Sequence, residues 1–307
     1  MKIKLYKYTP HIMSFIANPM LRATRAKDLN DPFELNPTRE VVEHIVASRK
    51  PTPEVMEFYK DKKQFAKLIT TYEKGIISLS ECKDNLLMWS HYSNEHKGGV
   101  IEFTFELRNE SHSRTPVQRG LFQSMADNNY RYGIVKYRKN RTLELSLLSG
   151  SGYEQTNQII DEIAFIKSKD WMYEEEHRFL VNLSYCNKTL VEDTSLNRRE
   201  LESYNLAVEQ IDDFLAIPPQ NKFKHDLSVF SAINQFMDRS EFMQFVSINT
   251  ASVTGIYIGE KMWDEQEEDI IASRSKLEKF TNLNNNINVA KVHPDKYELD
   301  FVRLWES

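Results

Sequence analysis

Residues 2–8, KIKLYKY, alternate apolar and charged positions at a period of two, the pattern of a strand with one buried face. The segment 11–18 reads as a short helix closed by Asn18-Pro19, and residues 20–26 (MLRATRA) read as extended. A compact turn is expected at Asn30-Asp31-Pro32-Phe33. Proline biases Asp31 away from helix, Asn30 and Asp31 satisfy backbone donors locally, and Phe33 is expected to bury itself. Residues 53–74 place Met56, Tyr59, Leu68 and Tyr72 at helical spacing with lysines opposite, which predicts a helix ended by Gly75. Strands are predicted at 76–80 (IISLS) and 99–105 (GVIEFTF), with a polar and aromatic helix and loop between them at 84–96.

Further along, the pattern predicts a strand over 132–137 and a helix over 156–169 carried by Ile159, Ile163 and Ile166. A strand follows, with its apolar part at 179–183 and its polar entry at 176. Helices are expected at 197–215, 227–237 and 264–280, and strands at 253–258, 287–292 and 297–304. Strands at both ends with helices clustered between them favour an α+β fold over alternating βαβ units: a central, mostly antiparallel sheet with helical insertions. The SGSG stretch at 149–152 makes a loop better than a domain boundary, so residues 1–307 are expected to form one domain.

Composition narrows the chemistry. Nine glycines in 307 residues, with no G-x-G-x-x-G and no G-x-x-x-x-G-K-[ST], argue against a Rossmann or P-loop nucleotide site. The two cysteines, Cys82 and Cys186, form no C-x-x-C pair and are expected to be inert buried thiols. With few cysteines, no signal-like apolar start and no run long enough to span a bilayer, a cytoplasmic protein without membrane partners is expected. A net charge of −5 does not favour long-range attraction to nucleic acid. The basic stretch 131–141 (RYGIVKYRKNR), with Tyr132 and Tyr137 interleaved, reads as an exposed strand end and turn.

Four segments hold more polar and aromatic residues than folding requires. They are Tyr6-Lys7-Tyr8 with Arg22, Arg25 and the Asn30–Glu34 turn; Ser78-Leu79-Ser80 followed by Met88-Trp89-Ser90-His91-Tyr92; Lys97-Gly98-Gly99-Val100; and Trp171-Met172-Tyr173-Glu174-Glu175-Glu176-His177-Arg178. As a set, over roughly residues 1–260, they resemble an uncharacterised bacterial family, domain of unknown function 2971. Its members are similar in an aromatic first strand, an N-D-P-F-[ED] turn, a W-S-H-Y-type segment and a W-x-Y-E-x-E-x-R motif. The order of an aromatic first strand, an S-x-S strand and a late strand entered by E-x-E is also similar to the ADP-ribosyltransferase fold, in which NAD lies against a split β-sandwich. That resemblance implies NAD as substrate, with no metal, and a toxin or anti-phage role by analogy. It implies Tyr6 or Tyr8 with Arg22 or Arg25 at the dinucleotide, Ser78 or Ser80 orienting the ribose strand, and Glu174 or Glu176 as the decisive carboxylate. The first strand departs from that pattern, because it lacks the usual arginine or histidine.

The chemistry of such a set is coherent. Breaking the nicotinamide–ribose bond builds positive charge on the ribose, which a nearby carboxylate stabilises. In an extended segment Glu174 and Glu176 share a face, and two close carboxylates push one pKa upward. Arg178 on that face suits either glutamate or a pyrophosphate. Trp89, His91 and Tyr92 are candidates for contacts to the dinucleotide, and Trp171 or Tyr173 for stacking on a base. Ser80, Glu174 and Glu176 are thus the candidate catalytic residues. Against this stand a solvated Glu174–Glu176 cluster with Arg178 as an ion pair, and Trp89 and Tyr92 as plain core aromatics. Two other functions remain open: a non-catalytic module binding a nucleotide or a protein, and a metal-dependent nuclease using Asp161, Glu162 and Lys167 or Lys169 on an amphipathic helix.

Overall fold

The computed structural model describes residues 1–59, 61–71, 74–110, 115–123, 125–126, 129–203, 208–211, 213–217 and 242–305. The helix expected at 227–237 lies outside these residues, as does Tyr72. The chain opens with β1 (Lys2–Thr9), α1 (Ile12–Ala17) and β2 (Met20–Arg25), then three helices, α2 (Arg39–Arg49), α3 (Pro53–Tyr59) and α4 (Lys62–Thr71). β3 (Lys74–Ser80), α5 (Leu86–Tyr92), β4 (Gly99–Arg108), β5 (Val117–Arg119), β6 (Tyr130–Ile134) and β7 (Lys136–Arg138) follow. Next come α6 (Gly152–Ala164), β8 (Ile166–Ser168), β9 (Glu176–Asn182), β10 (Lys188–Glu192), α7 (Ser195–Ser203), β11 (Glu209–Ile211) and β12 (Phe214–Ile217). β13 (Met243–Ser247), β14 (Val253–Gly259), α8 (Glu260–Ala272), β15 (Ile287–Val292) and β16 (Leu299–Arg303) complete it.

The fold is α+β. One large sheet runs β11-β12-β10-β13-β2-β3-β1-β4-β14-β15-β16, with β9 on the other edge of β3 and β6 beyond it. Its ladders are antiparallel among the described residues except that of β14 with β15. The alternation in β1 sends Leu5 into a core with Ile77, Ile101, Phe103 and Phe179, closed by Ile12 and Phe15 of α1. Tyr6 and Tyr8 go to the opposite face, against Met88, Trp89 and Tyr257. No helix among the described residues is long and apolar enough to cross a membrane.

The arrangement that matters for a site is at β3. Its β9 edge is paired along its whole length, Lys74↔Asn182 through Ser80↔Glu176. On its other edge β2 pairs only near the start, at Gly75 and Ile76, and β1 only at Ser80. The two neighbours therefore diverge along the middle of β3. Gly75 is fitted to this junction: a Cβ there would lie 2.5 Å from the Leu183 side chain and 3.0 Å from the Cβ of Ala23 on β2.

Several expected boundaries move. The helix over 53–74 is two helices, and Gly75 lies inside β3 rather than ending a helix. α2 was not expected, although Thr38 caps it and Val41, Val42 and Ile45 form its buried stripe. SGSG at 149–152 begins α6: Ser151 and Glu154 form a capping box. That helix stops at Ala164 instead of 169, because residues 166–168 pair with β7. The strand over 132–137 breaks at Val135, whose N–H donates to the Glu176 carbonyl at 2.9 Å. Of the helix expected over 197–215, the described residues show α7 to Ser203, and strands, not helix, at 209–211 and 214–217. α8 starts at Glu260, ahead of 264, and gives way to a 3-10 turn at Ser273–Leu277.

Candidate functional site

A cavity of about 510 Å³ opens where β1 and β2 part, with Tyr6, Lys7, Tyr8, Arg22, Ser78, Ser80, His91, Tyr92, Lys167, Glu174 and Glu176 in its walls. Cross-strand register explains much of this convergence. Tyr6 stands opposite Ser80, and Ser80 opposite Glu176, so the three share one face of the sheet. Glu174 arrives differently. The segment 174–176 is not extended: a 3-10 turn (Lys169–Glu174) ends with Glu175 in the left-handed region at φ 44°. That twist turns Glu175 outward to accept from the Cys82 thiol at 2.8 Å, and leaves Glu174 and Glu176 both buried and both bound to Lys167.

Four ionisable groups meet in the wall of the cavity, Glu34, Lys167, Glu174 and Glu176, with Arg178 buried behind them. Lys167 Nζ lies 2.6 Å from Glu174, 3.0 Å from Glu34 and 3.4 Å from Glu176. Arg178 grips both oxygens of Glu176 at 2.8 Å and also donates to Glu34 and to the Ala164 carbonyl. The cluster is therefore not solvated; each member is at least nine-tenths buried. Burial alone would raise the Glu176 carboxyl, but Arg178 and Lys167 overrule it and hold it at about 2. Glu174 has no arginine. Burial pushes it up, Lys167 opposes, and the Glu176 charge pushes it further up, while Tyr92 donates to it at 2.5 Å.

Lys7 is the other perturbed group. Burial lowers its ammonium to about 8 against the pull of Glu176 and Glu174, and Arg22 lowers it further. It donates to the Ser78 carbonyl at 3.0 Å, in the part of β3 that neither β1 nor β2 covers.

Acid should expose the Glu176 pairing. Its folded pKa lies below the unfolded one, so its stabilisation is complete above the ordinary carboxylate range and is lost as pH falls toward about 2. Chemical denaturation across that range should show a steep acid loss in the wild type. Substituting Gln at 176 should flatten it, and an unchanged slope would mean that other carboxyls carry the acid sensitivity.

Of the residues singled out from sequence, Tyr6, Tyr8, Arg22, Ser80, His91, Tyr92, Glu174 and Glu176 line the cavity. Three do not. Trp89 is fully buried, stacked on His96, and its indole N–H donates to the Lys83 carbonyl at 2.7 Å, so it packs the core and cannot touch a dinucleotide. Arg178 is 1 % exposed and committed to Glu176 and Glu34, so it holds the carboxylates and meets no pyrophosphate. Arg25 brackets Asp28 at 3.4 Å, outside the cavity wall. Tyr173 bonds His91 at 3.1 Å, and the Trp171 ring lies under the Lys167 ammonium.

Other expectations also change. Phe33 is exposed rather than buried, with the Arg141 guanidinium over its ring. Cys82 is only partly buried; burial first and Glu175 second push its thiol up to about 12, as burial does for Cys186. Asp161 and Glu162, the acids of the nuclease reading, pair with Arg131 and Lys136 on the surface of α6. Tyr132 is buried and bonds His177 at 2.5 Å, and Tyr137, half-buried, accepts from the Glu176 N–H at 2.9 Å.

Lys7 and Glu34 have no role assigned from sequence, and Lys167 has one only in the nuclease reading, which places it beside Asp161 and Glu162 rather than between Glu34, Glu174 and Glu176. Lys7 carries a legible signal, since it sits at the parity of Ile3 and Leu5, where the strand otherwise puts apolar side chains. Glu34 and Lys167 carry none; only the folded chain brings them together.

Fold and cavity together define an α+β protein with a charged cleft at a branch in its sheet. The sequence model of a family described as "Protein of unknown function (DUF2971)" matches residues 88–179, from α5 through most of β9. The match takes in Tyr92, Lys167, Glu174, Glu176 and Arg178 and supports the family resemblance over that stretch; β1, β2 and β3 lie outside it. No curated protein and no solved structure matches the chain.

Proposed function

We propose that this protein is an NAD-consuming enzyme of ADP-ribosyltransferase type, which breaks the bond between nicotinamide and ribose and passes ADP-ribose to an acceptor or to water. One observation carries the reading: two buried carboxyls of opposite tuning, Glu176 held at about 2 and Glu174 pushed up, stand in one cavity wall. Two carboxyls with separated pKa values divide labour. The ionised Glu176 supplies negative potential beside a ribose that becomes cationic as the bond breaks. Nicotinamide leaves with the bonding pair and needs no proton. The acceptor N–H or O–H loses one on attacking the ribose, and Glu174, poised nearer neutrality, takes it. Ser80 shares the Glu176 face and suits a ribose hydroxyl, while Lys7 and Arg22 suit the pyrophosphate.

A second reading is a non-catalytic module that binds a nucleotide. It draws on the double grip of Arg178 on Glu176, which leaves that charge largely answered before any ligand arrives. Incubation with NAD, scoring free nicotinamide and mass added to any macromolecule, separates the two. Nicotinamide release supports the enzyme. Saturable NAD binding without release overturns it in favour of the module.

A further inference from the structure

A second, smaller cavity of about 180 Å³ lies beside the first, with Lys167 in the walls of both. Its occupant has to satisfy two opposite demands. Asp31 is 3 % exposed; Oδ1 accepts from the Phe33 N–H at 2.9 Å, while Oδ2 is buried with no hydrogen-bond partner among the described residues. An orphaned carboxylate oxygen is costly and calls for a donor. The rim is the reverse, since Arg138 and Lys139 stand exposed at the end of β7. Arg141 lies over the Phe33 ring, 5.2 Å from its centroid, and offers a planar stacked pair at the wall. The floor includes Val41, Ile163 and Ile166.

A lone phosphate would leave Asp31 unanswered and meet its charge, and a simple cation would meet the basic rim. What fits is a flat group with an N–H donor inside and an anion outside. At about 180 Å³ the cavity has room for a planar ring.

We propose that this cavity is a nucleotide site: it takes the base of a nucleotide, free or as an unpaired residue of a nucleic-acid strand. A base N–H donates to Asp31 Oδ2, the ring lies against the Phe33–Arg141 pair, and the phosphate meets Arg138 and Lys139. The site stands independently of NAD cleavage.

The test uses the full chain and fluorescence anisotropy with short labelled single-stranded oligoadenylate, competed by AMP and by purine riboside 5′-monophosphate, whose base has no donor. AMP should compete at least tenfold better than the donorless analogue. Asp31→Asn, which keeps an oxygen for the Phe33 N–H, should erase that preference. Arg138→Ala with Lys139→Ala should weaken binding at least tenfold and, if a strand is bound, lower the salt slope by about 0.7 for each phosphate that is no longer neutralised. Calorimetric titration reads AMP directly: AMP binding without strand binding assigns the site to free nucleotides, and strand binding, with or without AMP, assigns it to a strand. The proposal is overturned if neither binds, or if the variants bind as wild type does. NAD cleavage in the Arg138/Lys139 variant is a separate readout, so the two readings fail separately.

Discussion

Glu176→Gln should cost about 3–5 kcal/mol of folding stability at neutral pH, the range for removing one partner of a buried ion pair. The variant leaves Arg178, which is 1 % exposed, without the carboxylate that answers two of its donors, and takes from Lys167 one of three anions. A glutamine oxygen can accept one of those bonds, but it supplies no charge. Urea denaturation of wild type and variant measures the difference, and a loss under about 1 kcal/mol would show that the cluster tolerates a missing charge. The motif alone casts Glu176 as an electrostatic stabiliser that a neutral isostere could replace without harm to the fold. Its surroundings change that expectation, because loss of activity in this variant would be entangled with loss of structure.

Glu174→Gln is the cleaner probe of chemistry. If Glu174 takes the acceptor proton, turnover of NAD should fall about 10²–10³-fold, within the range for losing one acid–base group, while KM moves little. Stability should change less than for Glu176→Gln, since an amide oxygen still accepts from Tyr92 or Lys167, and Lys167 keeps Glu34 and Glu176. The pH profile adds a readout that a structural role would not move. A base works deprotonated, and burial raises this carboxyl, so wild-type kcat should rise with pH through a pKa above the ordinary carboxylate range. That limb should vanish in the variant. Full turnover in a folded Glu174→Gln protein, given a measurable wild-type rate, would remove Glu174 from the mechanism.

How much of this was legible beforehand follows from what each signal depends on. The strands at 2–8, 76–80, 99–105, 253–258 and 287–292 rest on local alternation or short β-branched runs, and the structure keeps them within a few residues. The helix end at 164 was missed because the apolar period continues past it; a partner strand, not local preference, takes up residues 166–168. Ser80, Glu174 and Glu176 were placed by motif; register brings Ser80 and Glu176 to one wall, and the turn through left-handed Glu175 brings Glu174 there. For Trp89 and Arg178 the ligand-contact reading fails and the core-aromatic and ion-pair readings beside it hold, for a common reason. An aromatic ring or a guanidinium in a polar motif looks the same in sequence whether it faces a ligand or holds up the groups that do. Glu34 was visible only as the end of a turn. Its role depends on Arg178, 144 positions later, and nothing local encodes that meeting.

That separation also bears on how the molecule assembles. The wall of the cleft joins the turn after β2 to the junction of α6 and β8 and to the first residues of β9. Closing so long a loop costs entropy that a few polar contacts cannot repay until the β3–β9 ladder has already aligned them. Until then Arg178 and the three glutamates remain hydrated, and the chain gains nothing by pairing them early. The local hairpin of β15 and β16 faces no such delay. The amide of Glu175, bonded to the Met172 carbonyl outside that ladder, should therefore gain protection after those of residues 177–181 when refolding is followed by pulsed hydrogen exchange, so that a nascent chain completes its fold before it completes its cleft.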